Sequence, residues 1–162
     1  MRKRTVFAWY FLFFTICLLV PVSLSAEEVA GLSSGQSVYV PAYSHIYIGD
    51  RERPLLLTVT LSIRNIDPQN HINIMGVDYY ETQGKLLKKF TDKPTTLKPL
   101  ESLRYVIPQN DKSGGSGANF IVEWKAERLV NPPIIETVMI GAQSQQGISF
   151  TSRGRVIIAT NQ

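Results

Sequence analysis

From Leu57 to Ile63 every second residue is a large aliphatic one: Leu57, Val59, Leu61 and Ile63 alternate with Thr58, Thr60 and Ser62 in "LLLTVTLSIRN". An extended chain puts these two sets on opposite faces, whereas a helix would scatter both around its circumference. The run therefore reads as a strand with one buried and one polar face. "INIMGVDYYET" repeats the theme through Ile72, Ile74, Val77 and Tyr79, and Gly76 breaks the alternation as a bulge would. "ANFIVEWKAE" places Phe120, Val122 and Trp124 on one face, and "SLRYVIP" does the same with Leu103, Tyr105 and Ile107. "PIIETVMIGA" and "ISFTSRGRVIIA" extend the pattern to the end of the chain, the second interrupted at Arg153-Gly154. "SVYVPAYSHIYI" is a further extended segment, interrupted by Pro41.

The connections are equally readable. Gln83-Gly84 in "ETQGKLLKKF" supplies a position of positive φ and predicts a hairpin. "TDKPTTLKPLES" holds two prolines and predicts a loop. About seven to eight short strands with turn signals every 8 to 12 residues or so predict an all-β, antiparallel sandwich of immunoglobulin-like type. No crossover helix separates them, which excludes a parallel α/β sheet.

The first residues carry a different signal. "MRKR" is followed by the apolar run Thr5–Val20, sixteen residues long, then Pro21 and the small-residue stretch "VSLSAEE". A basic start, an apolar helix, a break and small residues form a secretory signal. Ser23 and Ser25 suit a cut before Ala26. The run is short of the roughly 20 residues of a spanning helix, the alternative being an uncleaved anchor. These signals divide the chain into a signal peptide at 1–25, a flexible N-terminus at 26–36 and one sandwich domain at 37–160. Cys17, the only cysteine, lies inside the apolar run behind Ile16, too large for a lipidation site. A chain cut before Ala26 has neither a disulfide nor a thiolate nucleophile, although an exported compartment permits disulfides.

Export also changes the charge. The 17 basic residues fall to 14 without Arg2, Lys3 and Arg4, against 13 acidic ones, for a balance of +1. That balance, with no basic cluster, argues against a nucleic-acid partner. About 136 residues remain, enough for one cored domain.

Two segments hold chemistry-bearing residues. "GGSGA" places Ser116 as in a G-x-S-x-A nucleophile turn, which needs a helix after the serine and a histidine base. "NFIVEW" predicts a strand instead, and only His45 and His71 are available. No Lys-Ser/Thr follows Gly114, Gly115 and Gly117, so a phosphate loop is excluded too. What remains is an inter-strand corner, with Gly114, Gly115, Ser116 and Asn119 as candidate ligand or partner contacts at an exposed end of the sandwich. The second segment is "PAYSHIYIGDRERP". Tyr39, Tyr43, His45 and Tyr47 recur at even spacing and share one face if the segment is a single strand. Such a face suits a peptide, a glycan or a protein partner, and equally a packed face with hydroxyls at its rim. Asp50 to Arg53 reads as a mixed-charge turn. His45 with Asp50, and His71 with Asp78, lack metal-ligand spacing, and Asp67–Asn70 reads as a turn without the pattern of a calcium loop. Asp78, Glu81 and Glu123 read as solvated carboxylates rather than a glycosidase pair. No cofactor and no metal are expected.

The blocks "GQSVYVPAYSHIYIGD", "LTVTLSIRNIDP", "VDYYETQGKLL", "GGSGANFIVEW" and "QGISFTSRGRVI" together resemble the bacterial family catalogued as domain of unknown function 3124. The resemblance covers about Gly35 to Ile158. It implies an exported bacterial protein and carries no activity. The order of "DYYETQGKLL" and "LKPLESLRYVI", with Pro99 and Ser102 in the loop between strands, is also similar to immunoglobulin-like modules of exported bacterial proteins. The expected function is a non-enzymatic module that binds or supports another envelope component. A small-ligand or carbohydrate binder using residues 39–47 is the alternative, and a hydrolase using Ser116 is the third reading. The domain would lie in the periplasm or outside the cell, touching a membrane only if the signal stays uncut.

Overall fold

The alternation that starts at Leu57 sets the inner face of the domain. The structure, a computed structural model, describes residues 31–48, 52–143 and 146–160. The expected signal peptide and residues Asp50 and Arg51 of the mixed-charge turn lie outside them. Among the described residues the chain forms β1 (Ser33–Pro41), β2 (His45–Ile48), β3 (Arg53–Leu56), β4 (Thr58–Arg64), β5 (Ile72–Tyr80) and β6 (Leu86–Lys89). It continues with β7 (Thr95–Leu97), β8 (Ser102–Ile107), β9 (Asn119–Val130), β10 (Ile134–Gln143), β11 (Gln146–Arg153) and β12 (Arg155–Thr160). One short 3-10 turn, Gly115–Gly117, stands before β9. No helix of the described residues is long and apolar enough to cross a membrane.

The strands form an all-β sandwich of antiparallel sheets. One sheet has the order β12-β1-β9-β5-β6, with β7 also paired to β5. The second has the order β11-β10-β4-β8, and β2 and β3 form a separate hairpin. Leu57, Val59, Leu61 and Ile63 are fully buried, with Met139, against Val40, Ile72, Ile74, Val77, Phe120 and Val122 of the larger sheet. Each such side chain contributes on the order of 1.5–3 kcal/mol by leaving water. Trp124 is 1% exposed and its indole N–H has no acceptor, a cost its large apolar ring offsets.

Several expectations hold in detail. The register of β5 on β9 shifts between Ile74 and Gly76, the predicted bulge. Gly84 turns the β5–β6 hairpin with φ 84°. Two expectations need correction. β1 begins at Ser33, inside the span expected to be loose: Ser33 is buried, its Oγ donates to the Gly35 carbonyl at 3.0 Å, and it pairs with Val130. The strands also outnumber the expected eight, because β2, β3 and β7 are too short to show a period and β11 and β12 separate.

That separation closes the sandwich. β11 pairs with β10 in the smaller sheet, and β12 pairs with β1 in the larger. The chain crosses between them at Gly154, whose N–H donates to the Ile135 carbonyl at 2.8 Å. A Cβ there would lie 2.6 Å from Val38 Cγ1 and 2.9 Å from the Ile135 oxygen. Only glycine lets the two sheets approach at this corner.

A polar cluster between β4 and β5 ties the loops on the other side of the cleft that Gly154 borders. Asn65 and Asp67 are buried at 2% and 4% exposure. Asn65 Nδ2 donates to the carbonyls of Asn70, Leu97 and Lys98 at 2.9, 3.2 and 2.9 Å. Asp67 Oδ1 accepts the N–H groups of Gln69 and Asn70, at 3.0 and 2.8 Å, and its Oδ2 accepts that of Asn131 at 3.1 Å. The backbone N–H groups of Gln69 and Asn131, followed by those of Asn70, hold the carboxyl at about 2, below its ordinary 3.8.

Two outcomes follow. Gly154→Ala should cost about 1–3 kcal/mol in urea unfolding, the range for forcing atoms into a packed site. A carboxyl depressed on folding stabilises fully above its unfolded value and loses that contribution as pH falls through the folded one. Unfolding free energy should therefore drop between about pH 4 and pH 2, and Asp67→Asn should be less stable at pH 7 with a flatter acid limb in that window.

Candidate functional site

The two chemistry-bearing segments meet. The Ala42 N–H donates to the Ala118 carbonyl at 2.8 Å and the Ser44 N–H to the Gly115 carbonyl at 2.9 Å. Ser44 is fully buried, and its Oγ lies 3.0 Å from the hydroxyl of Tyr79 on β5. Burial raises the Tyr79 phenol above its ordinary value, partly opposed by that hydrogen bond, so the ring stays neutral at pH 7. The junction is built on serine, tyrosine and backbone. The tyrosines singled out from the sequence do not take part in it.

The four-residue face is not formed. β1 ends at Pro41 and β2 starts at His45, so the even spacing spans a break in the chain. Tyr39 sits on β1 opposite Ile121 and Arg155, between the core residues Val38 and Val40. It therefore lies on the outer face of the larger sheet. Tyr43 is half-buried with its ring centroid 5.9 Å from that of Phe150. Only His45 and Tyr47 remain together, on one face of β2, edge to face at 5.2 Å with Nε2 3.3 Å from the tyrosine hydroxyl. Pro41 and its missing N–H account for the break.

The glycine-rich turn is committed inwardly. Gly115 has φ 77° and its N–H donates to the Lys112 carbonyl at 3.2 Å. The Gly117 N–H donates to Thr82 Oγ1 at 3.0 Å, and the same hydroxyl donates to the Gly114 carbonyl at 3.0 Å. An anion nest needs these N–H groups free and convergent. Here the protein's own atoms take them. Ser116 is half-buried inside the 3-10 turn, and the strand β9 follows it, starting at Asn119. A nucleophile turn requires a helix at that point. Asn119 pairs with Pro41 and Tyr80 as a sheet residue. Gly114 is buried where a Cβ would strike the Tyr79 hydroxyl and lie 2.8 Å from both Ser44 Oγ and Ala118 Cβ.

Other concave places lie elsewhere. One cleft is lined by Asn70, His71, Glu127 and Arg128, and another by Ser62, Arg64, Ser102 and Arg104. A third, of about 580 Å³, lies beside Gly154. None of the three includes a residue of the two segments. Among the described residues no three His, Cys, Asp or Glu side chains group closely enough to hold a metal ion. Ser44 and Thr82 were not legible in the sequence, since a serine or threonine bonded to a distant loop has no local signature, and Tyr79 was legible as a strand-face residue without its hydroxyl's partner.

The chain belongs to a family described as "Protein of unknown function (DUF3124)", whose model matches residues 35–157. No curated protein matches it. The crystal structure of Thermotoga maritima 1070 is similar at 12% identity and a TM-score of 0.43, over 74% of this chain and 92% of that one.

Gly114→Ala should lower stability by about 1–3 kcal/mol through the clash with Tyr79. Adding Tyr79→Phe removes the hydroxyl and should restore part of that loss, read as non-additivity in a double-mutant cycle. Strict additivity would show that the glycine and the hydroxyl do not meet.

Proposed function

We propose that the domain is an exported, non-enzymatic binding module that engages another envelope component through the β2–β3 hairpin. The observation that carries this reading is the exposure of that hairpin. Tyr47 is 53% and Ile48 51% exposed, on a two-stranded unit that, among the described residues, pairs with neither large sheet. Its base is fixed: the Ser44 carbonyl accepts the Leu57 N–H at 2.9 Å, and Leu55 is buried in the core. A large aromatic and an aliphatic residue held outward on a rigid base suit partner contact. The inward commitment of the Gly114–Gly117 turn weighs against the hydrolase reading. Export rests on the basic and apolar N-terminal segment.

A carbohydrate-binding reading is favoured by one detail, the exposed Tyr47 ring braced by His45. A ring fixed in orientation is a stacking surface for an apolar sugar face. His45 Nε2 lies 3.3 Å from the Tyr47 hydroxyl and adds a polar group beside the ring.

The test uses the chain from Ala26 and its Tyr47→Ser/Ile48→Ser variant in capture from envelope extract. A partner retained by the wild type and lost by the variant is expected, with thermal stability nearly unchanged because both side chains are exposed. Equal capture by both chains, or by neither, would defeat the hairpin reading. Thermal shift against a glycan panel separates the two readings. A fluorophosphonate probe should leave the folded chain unlabelled, and labelling lost in Ser116→Ala would restore the hydrolase.

A further inference from the structure

We propose that β12 is a self-pairing edge: two copies of this chain join antiparallel along it into one continuous sheet. Among the described residues β12 bonds to β1 on one side and to no strand on the other. An edge strand leaves a row of backbone donors and acceptors open, and folded proteins normally guard it. The edges at β6, β8 and β11 are guarded. β6 carries Lys88 and Lys89, β8 carries Arg104 and ends before Pro108, and β11 is polar at Ser149, Thr151 and Arg153.

β12 is different. After Arg155 it reads Val156, Ile157, Ile158 and Ala159, with no charge and no proline. Val156, Ile157 and Ile158 are 44%, 54% and 64% exposed. Val156 pairs with the core residue Val38, whereas Ile158 pairs with Ser37 across a register shift. Ile157 is the extra residue of that bulge and has no partner on β1. A bulge can protect an edge by twisting it. This one leaves an isoleucine more than half exposed in the middle of an apolar run.

The occupant that fits this strand is its own copy. In an antiparallel two-fold pair, Ile157 faces Ile158 of the second copy, Val156 faces Ala159, and Arg155 faces position 160. The central pairs are apolar on apolar, and the two Arg155 charges stand about 17 Å apart at opposite ends of the ribbon. Such an interface is isologous and closes on itself. Beside Val156 runs the cleft of about 580 Å³, lined also by Val38, Ile66, Pro132, Ile134 and Ile135. It offers apolar surface to the inward side chains of the added strand. A six-residue strand pair alone falls below the roughly 1,200 Å² of a stable interface, so the dimer should be of micromolar affinity.

Sedimentation velocity on the chain from Ala26, which keeps every described strand, tests this. A monomer–dimer equilibrium is expected between about 1 and 200 μM. Ile157→Lys and Ile158→Lys should each weaken it at least tenfold, while Lys88→Thr on the opposite edge leaves it unchanged. The chain from Ala26 has no cysteine, so Ile157→Cys/Ile158→Cys reports the register directly: mild oxidation should give an intermolecular disulfide. Two results overturn the proposal. One is a wild type that stays monomeric throughout the range, as it would if β12 instead accepts a strand from another protein. The other is a dimer indifferent to both lysine variants and not cross-linked by the cysteine pair.

Discussion

Two buried side chains, Asn65 and Asp67, fasten together the loops at one end of this sandwich. Their bonds reach the β4–β5 loop at Asn70, the β7–β8 loop at Leu97 and Lys98, and the β9–β10 loop at Asn131. These loops join both sheets. Buried carbonyls and N–H groups must find partners, and loops too irregular to pair with one another need a side chain to supply them. Asparagine supplies donors and acceptor together. The ionised carboxylate supplies acceptors alone, which is why its proton is held so loosely. Among the described residues the pair's bonds go to the chain's own loops.

A second fastening stands at the other end, where β5 finishes and β9 begins. Ser44, Tyr79, Thr82 and the Gly114–Ala118 turn form one bonded unit there. The two fastenings explain how the most chemical-looking stretches come to be bonded to the protein's own atoms in this arrangement. Glycines in series suggest a cradle when read alone. Packed beneath a tyrosine hydroxyl they are the smallest residues that fit, and their N–H groups are used by Lys112 and Thr82. Close approach to Tyr79, Ser44 and Ala118 accounts for the glycine at position 114.

Legibility in the sequence followed the range of the interaction. The period of Leu57 to Ile63, the turn at Gly84, the bulge near Gly76 and the break at Gly154 are local, and each could be read from a few adjacent residues. The core triplet Phe120, Val122 and Trp124 was readable for the same reason. The shared face of Tyr39, Tyr43, His45 and Tyr47 was misread because spacing was carried through Pro41, where the strand stops. Asp67 and Asn70 lay in plain view as turn formers. Their link to Asn131, sixty-four positions on from Asp67, was not visible. Ser44 gave no signal at all, since its partners come from β5 and the glycine turn.

The exposed surfaces have a geometry of their own. The β2–β3 hairpin lies beside the Ser44 fastening, whereas β12 runs from Arg155, opposite Tyr39, toward position 160, opposite Gly35. The hairpin thus sits near one end of the sandwich, and the self-pairing edge extends toward the other. Joining two copies along β12 would therefore leave both hairpins open, and the two-fold axis would carry them to opposite ends of the enlarged sheet. If the hairpin makes the proposed contact, making it twice against a repeating surface would gain from effective concentration without any new contact. That gain requires the spacing of the partner to match the span between hairpins. The length of the sheet, more than the chemistry of Tyr47 or Ile48, would then set which surfaces the pair can hold.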